Sequence, residues 1–339
     1  MDLTRKTGIF TLLDVSLRQA SSNWPTALTS LPANTPTPRY SVNGYIAGGA
    51  IPGALISNVE RIQYFNDTVN MSNRLFLLSN KTASDGTGNN NYGYTGGGYN
   101  SFPSPFTRIE RIDYSNDTSN SISRGSLNFA KYSIKAIGNN SFGYWCGGTI
   151  FPSTVTSSVE RLNYSTDTTN ATPVGNLGGP TQNHGCCGNL NYGYIVAGVV
   201  SGSLYSGVKR IDYASDTTVA SVRGNVNHTF YAGDGTGNNS YGYFAGSPTS
   251  SIISRIDYST DSNVAAPRGP LTITRFELGA TGDKDYGYWF GGWAPGVSSR
   301  VDRIDYSNDT ASLSIRGNTS VGKEGNPDGI SSGECGLHQ

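Results

Sequence analysis

A six-bladed β-propeller is the fold this sequence predicts: an all-β domain with a short helical flank at its N-terminus. Two repeated motifs and a composition suited to short strands predict it. The first motif, R-I-D-Y-S-N-D-T, begins at Arg111 and recurs in variants at Arg61, Arg161, Arg210, Arg255 and Arg303. The second, Gly-Tyr followed by small residues, keeps the same phase from Gly44, Gly93, Gly143, Gly193, Gly242 and Gly287. Successive copies of the first are 50, 50, 49, 45 and 48 residues apart. Four strand-sized segments in a period of about 40–50 residues is the organisation of a propeller blade. The chain holds 44 Gly and 21 Tyr, a bias toward tight turns and strands rather than helices.

Each repeat supplies its strands in order. A segment before the Gly-Tyr run is expected as one strand, as in Pro38–Val42, Ala130–Ala136 and Thr274–Ala280. The Gly-Tyr run, with aromatic and small residues, suits the crowded inner part of a blade. The strand ending in R-I-D-Y alternates charged and apolar residues, which predicts one buried and one wetter face. S-N-D-T then reverses the chain as a hairpin, with side chains able to bond nearby backbone N–H groups. The next strand, such as Ala311–Arg316, is short and polar, as expected near the rim. Seven residues after each motif Asp stands Arg74, Arg124, Val174, Arg223, Arg268 or Arg316, followed by Gly in five of six repeats. A closed ring protects strand edges better than an open solenoid does.

The pattern resembles kelch repeats. Gly48-Gly49, Gly147-Gly148 and Gly291-Gly292 match the kelch Gly pair, Val59–Tyr64 and Val159–Tyr164 the acidic-to-aromatic strand, and Pro38-Arg39 the Arg before the next repeat. The late kelch Trp is missing, so the resemblance is to a kelch-like variant covering residues 38–317. Adjacent antiparallel connections alternate between the two faces of such a disc. The S-N-D-T turns repeat uniformly on one face. The loops after Gly-Gly and after Arg-Gly vary on the other, the longest being Tyr99–Thr107, Thr149–Ser157 and Val199–Gly207. The aromatic candidates for binding there are Tyr99, Phe102, Phe106, Phe151, Tyr205 and Trp293.

Charged residues make up 14% of the chain and the formal net charge is +0, so no electrostatic footprint for nucleic acid is present. No apolar run is long enough to span a bilayer. Cys146, Cys186, Cys187 and Cys335 form no CxxC pair and read as small buried residues or free thiols. Asp113, Ser115 and Asp117 lack the Gly and distal Glu of a calcium loop. Some kelch-type propellers are copper oxidases, but His184, His228 and His338 are too few and too scattered for that ligand set, and read as surface or rim residues. No metal, cofactor or catalytic residue is expected, and the chain reads as a non-enzyme.

Residues 1–37 lie outside the repeat. Phe10, Leu13, Leu17 and Ala20 fall at helical spacing, Trp24-Pro25 follows, and a Pro-rich linker reaches residue 38. Gly8-Ile9-Phe10-x-Leu12 followed by Trp24-Pro25 resembles the N-terminal segment of tail and other virion proteins of marine bacteriophages. That resemblance implies an attachment segment, with Phe10, Leu13, Leu17 and Trp24 as assembly contacts. Residues 318–339 are Gly-rich without a strand pattern and read as a flexible end or a strap over the last blade. The expectation is a phage virion component, tail-fibre or adhesin-like or a capsid decoration. Its partners would be other virion proteins and a host surface glycan or protein, with a homo-oligomer as the assembled form. A cytoplasmic kelch-like interaction module and a glycan-cleaving enzyme with a site at the propeller axis are the alternatives.

Overall fold

The computed structural model describes residues 43–100, 104–200, 202–325 and 327–331. The assembly candidates Phe10, Leu13, Leu17 and Trp24, the loop residue Phe102, Cys335 and His338 lie outside the described residues. The fold is all-β, and its only helical elements among the described residues are three-residue 3-10 turns. Six antiparallel sheets follow the sequence repeat, each built on four strands in meander order. Sheet two runs Thr82–Gly88, Tyr92–Tyr99, Arg108–Asp113 and Ile122–Ser126. Sheet three runs Lys135–Gly138, Phe142–Cys146, Ser158–Asn163 and Thr172–Asn176. Sheet four runs Gly185–Gly188, Tyr192–Val196, Gly207–Asp212 and Ser221–Asn225. Sheet five runs Asp234–Gly237, Tyr241–Ala245, Ile253–Asp257 and Ala266–Arg268. Sheet six runs Phe276–Gly282, Tyr286–Ala294, Arg300–Asp305 and Ser314–Asn318.

Sheet one is assembled from both ends of the described chain. Asn43–Ala47, Asn58–Gln63 and Ser72–Phe76 supply three strands, and Asp328–Ser331 supplies the fourth. Gly44 pairs with Ser331 and Ala47 with Asp328. The C-terminal segment therefore does carry a strand, contrary to its Gly-rich reading. Glycine is what this place requires: a Cβ on Gly329 would lie 1.7 Å from the Ala280 carbonyl oxygen of sheet six. The Gly-Tyr strand is accordingly second in each sheet, behind a first strand still richer in small residues. The strand expected at Ala311–Arg316 instead runs Ser314–Asn318, because the residues before it complete the preceding turn.

The repeated motif residues meet at the seams between sheets. At the seam of sheets one and two, Asp117 accepts from Tyr45 Oη (3.1 Å), Arg61 Nη1 (2.7 Å) and Arg74 Nη2 (2.8 Å). The Tyr45 ring stacks on Tyr114 at 5.1 Å. Equivalent aspartates along the chain, Asp167, Asp216, Asp261 and Asp309, receive the motif Tyr and Arg of the sheet before them. The series returns to its start: Asp67 of sheet one accepts from Tyr288 and Arg303 of sheet six, each at 2.8 Å, and Tyr288 stacks on Tyr64. Burial alone would raise the Asp117 carboxyl, but the bonds from Arg74, Arg61 and Tyr45 outweigh it and hold the group below the usual carboxylate range.

S-N-D-T thus does two jobs. The Asp113 carboxylate caps its own turn by accepting from Ser115 N–H. Asp117 turns away and clasps the neighbouring sheet, which the hairpin reading did not foresee. The motif glycines are explained by the same seam. A Cβ on Gly143 would meet the Tyr164 hydroxyl at 2.7 Å, and one on Gly125 the Thr169 carbonyl at 1.9 Å. Each apolar cluster also draws on two neighbouring sheets. Tyr94, Ile109 and Leu127 pack on Ile134, Trp145 and Leu162, while Ile46, Ile62 and Tyr64 pack on Tyr288, Phe290 and Val301.

The alternation expected of the R-I-D-Y strand fails at one place. Glu60, Glu110 and Glu160 are buried, not on a wetter face. A register shift beside each residue turns it inward, where a lysine meets it.

Candidate functional site

At the start of each first strand or just before it stands a residue of positive φ: Ala83, Ser133, Asn183, Ala232 and Glu277 at 50–55°, and Gly325 at 78°. Side chains in this left-handed region cost about 1–2 kcal/mol each, so five non-glycine cases at equivalent positions need a compensating interaction. A head-to-tail chain of backbone hydrogen bonds supplies it. Ala83 N–H donates to the Gly325 carbonyl, Ser133 to Ala83, Asn183 to Ser133, Ala232 to Asn183 and Glu277 to Ala232, at 2.7–3.4 Å. The Gly325 N–H lies beside the Glu277 carboxylate and opposes the effect of burial on it. One residue at or just before the start of every first strand thereby joins a single ring.

Aromatic side chains and two carboxyls gather beside this ring. Tyr99 and Tyr132 meet edge-on with centroids 5.5 Å apart, and Tyr231 and Phe276 meet similarly at 6.0 Å. All four are half-buried, as are Glu277 and Glu324. Burial, then the neighbouring Glu324, raises the Glu277 carboxyl, against the bond from Gly325. Burial also raises Glu324. Tyr99 is raised by burial and then by Glu277. The two aromatic pairs and the two carboxyls thus bring ring surfaces and hydrogen-bond acceptors together at a rim of fixed backbone.

Beneath the ring lies a buried polar cluster. Lys135 Nζ stands 3.2 Å from Asp234 Oδ2 and 3.8 Å from Asp85 Oδ1, and Cys186 Sγ lies 3.7 Å from Asp85 Oδ2. Two carboxylates and a thiol could ligate a metal by type, and their ligand atoms lie within 4.8 Å of one another. The Lys135 ammonium already supplies the local cation, so the set does not fit a resident metal. Ala136 N–H donates to Asp85, and Ala280 and Gly235 N–H to Asp234, so these side chains tie first strands together. Burial raises Asp234, and Lys135 opposes that.

His184 is also buried here, not at the surface as the sequence suggested. Burial and then Lys135, Lys209 and Lys131 lower its imidazole to about 3, so it stays neutral. Cys146 and Cys187 are buried free thiols, and Cys186 is buried against Asp85 and the Ala136 carbonyl.

Of the loop aromatics among the described residues, only Tyr99 stands beside the ring. Phe106 lies under the Arg108 guanidinium at 5.0 Å, and the Tyr205 ring faces Lys209 Nζ at 5.8 Å. Phe151 and Trp293 are each 41% exposed. These four belong to different sheets and form no common surface by contact. Sequence reasoning missed Tyr132, Tyr231, Phe276, Glu277 and Glu324. Only their place at or just before the start of a first strand could have marked them. Lys209 was missed although it replaces the Glu found before three other motif arginines.

No protein-family model and no curated protein matches this chain. Among the described residues no helix is long and apolar enough to cross a membrane.

Proposed function

We propose that the six sheets are the blades of a closed, kelch-like six-bladed β-propeller. It acts as a non-catalytic binding module whose aromatic-rimmed mouth and variable loops engage a carbohydrate or protein surface. The observation that carries this reading is the ring of six left-handed residues flanked by Tyr99, Tyr132, Tyr231 and Phe276. A rigid rim with edge-on aromatics is a recognition surface prepared at low entropic cost. The setting we propose is a phage virion, as a tail-fibre-like or decorating component attached through residues 1–37. That rests on the resemblance of Gly8-Ile9-Phe10 and Trp24-Pro25 to virion proteins.

Two experiments test the reading. A glycan array probed with the full chain should give hits that Tyr132→Ala weakens about tenfold, the loss of one stacking aromatic; hits unaffected by Tyr132→Ala and Tyr231→Ala refute the mouth as the binding surface. Mass spectrometry of purified particles should find the chain, and deletion of residues 1–37 should remove it; its absence from particles refutes the virion setting.

A second reading is favoured by Glu277 and Glu324. One carboxylic acid and one carboxylate are the minimum set for cleavage of a glycosidic bond, and the more deeply buried Glu277, raised by burial and by Glu324, would be the acid. Release of reducing ends from an array-positive glycan, abolished by Glu277→Gln, would establish it over the non-catalytic reading.

A further inference from the structure

Four sheets carry a buried ion pair at one equivalent place. Glu60 pairs with Lys323 at 2.7 Å, Glu110 with Lys81 at 3.7 Å, Glu160 with Lys131 at 2.8 Å, and Asp302 with Arg275 at 3.4 Å. Each acid directly precedes a motif arginine, and each accepts a backbone N–H from the segment that follows the fourth strand of the preceding sheet. In sheet five Ser254 takes the acid's place and donates to Asn227, leaving no charge behind. Sheet four departs differently: the place is held by a base, Lys209.

Lys209 is 6% exposed. It donates to Thr181 Oγ1 at 2.8 Å and the Gly179 carbonyl at 3.4 Å, and no carboxylate pairs with it among the described residues. An ammonium has three donors, so one is left over. Replacing both members of a buried pair by neutral groups costs little, but leaving one charge without its partner is strongly destabilising. Burial accordingly lowers the Lys209 ammonium.

Two further departures surround this lysine. Sheet four begins its third strand with Gly207, where other sheets have Asn58, Arg108, Ser158 and Arg300. A Cβ there would overlap the Tyr205 ring at 2.0–2.3 Å, so the glycine makes room for the ring facing Lys209. On the other side stands Gly178-Gly179, and a Cβ on Gly179 would meet nothing closer than Lys209 Nζ at 3.9 Å. The buried ammonium thus faces uncrowded space beside Gly179 and is flanked by one aromatic ring.

We propose that Lys209, with Tyr205 beside it, is a binding site for the carboxylate of an acidic sugar, which restores from outside the ion pair that sister sheets make internally. One isolated cation with one ring matches a singly charged sugar: the carboxylate takes the free donor and the ring packs on the sugar's CH face. An acidic peptide needs several exposed cations, whereas Lys81, Lys131, Lys135 and Lys323 are buried against carboxylates. The proposal deepens the binding-module reading and rests on it.

The test titrates sodium glucuronate, sodium acetate and glucose into 13C-lysine-labelled full chain, with the Lys209 ε signal assigned by its loss in Lys209→Gln. Glucuronate is expected to shift that signal saturably, acetate to shift it with weaker affinity, and glucose to leave it in place. Tyr205→Ala should weaken glucuronate about fivefold or more and leave acetate unchanged. No saturable glucuronate shift, or tighter binding of a hexaglutamate peptide than of glucuronate, overturns the proposal. Lys209→Gln removes a buried unpaired charge and is expected to fold, which its melting curve checks. Array binding that survives Lys209→Gln, together with a null titration, leaves the mouth reading standing and this site refuted. Array binding that fails outright while the glucuronate shift persists refutes the mouth alone.

Discussion

Replacing Asp117 by alanine removes the acceptor on which Tyr45, Arg61 and Arg74 of sheet one converge. The Tyr45 hydroxyl is buried and loses its partner, which costs about 1–3 kcal/mol. The two guanidiniums keep 20% and 27% of their exposure, so water recovers part of their loss, and their ion pairs add about 1 kcal/mol. The total expected is about 2–4 kcal/mol. Asp117→Asn keeps an acceptor oxygen without the charge and should cost about half as much. Urea unfolding measures both as midpoint shifts at constant slope. Asp285→Ala is the control: its pair with Lys284 is exposed, and its effect should stay within about 0.5 kcal/mol. An Asp117→Ala loss no larger than the control's refutes the clasp as a source of stability. The pH dependence has a definite sign. The folded Asp117 carboxyl lies below its unfolded value near about 3.9, so its contribution is complete above that value and disappears as pH falls through the folded one.

Val174 occupies the place of the second clasping arginine, and among the described residues the Asp216 carboxylate accepts from Arg161 and Tyr144; Val174→Arg should raise stability by about 0.5–1 kcal/mol in the same urea assay. Gly143→Ala drives a methyl into the Tyr164 hydroxyl and Thr87 Cγ2, at 2.7 and 2.8 Å, and should cost about 1–3 kcal/mol by thermal melt. Lys131→Met strands the buried Glu160 carboxylate at a cost of about 3–5 kcal/mol, and the double variant with Glu160→Leu should recover most of it. Burial pushes the Cys146 and Cys187 thiols up to about 12, so a thiol-specific chromophoric reagent at neutral pH should leave both unmodified in the native chain and label both in urea.

The repeat was legible because it is a repeat of the seam. The motif Gly, Tyr, Arg and Asp each touch the neighbouring sheet, so each is fixed six times by the same geometry. What the sequence hid is what depends on distant segments. Nothing near Asp328–Ser331 announces a strand, since its pairing partner, Asn43–Ala47, lies almost the whole chain away. Alternation placed Glu160 on a wet face because a register shift and a lysine 29 residues upstream are invisible to local periodicity. The aromatic rim escaped notice because Tyr132, Tyr231 and Phe276, each directly before a left-handed residue, sat in segments read only as strands, and they meet only through the ring of those residues. The loop aromatics were identifiable by type, but type alone did not indicate that Tyr99 would stand apart from Phe106, Phe151 and Trp293.

The C-terminal strand completes sheet one and so joins sheet six to it. Hydrogen exchange by mass spectrometry on the full chain and on a chain ending at residue 325 tests this most directly. Truncation should remove protection from Asn43–Ala47, with secondary losses in Thr82–Gly88 and Phe276–Gly282, and a peptide of residues 321–339 added in trans should restore it. Protection of Asn43–Ala47 that is unchanged by the truncation would contradict the closure.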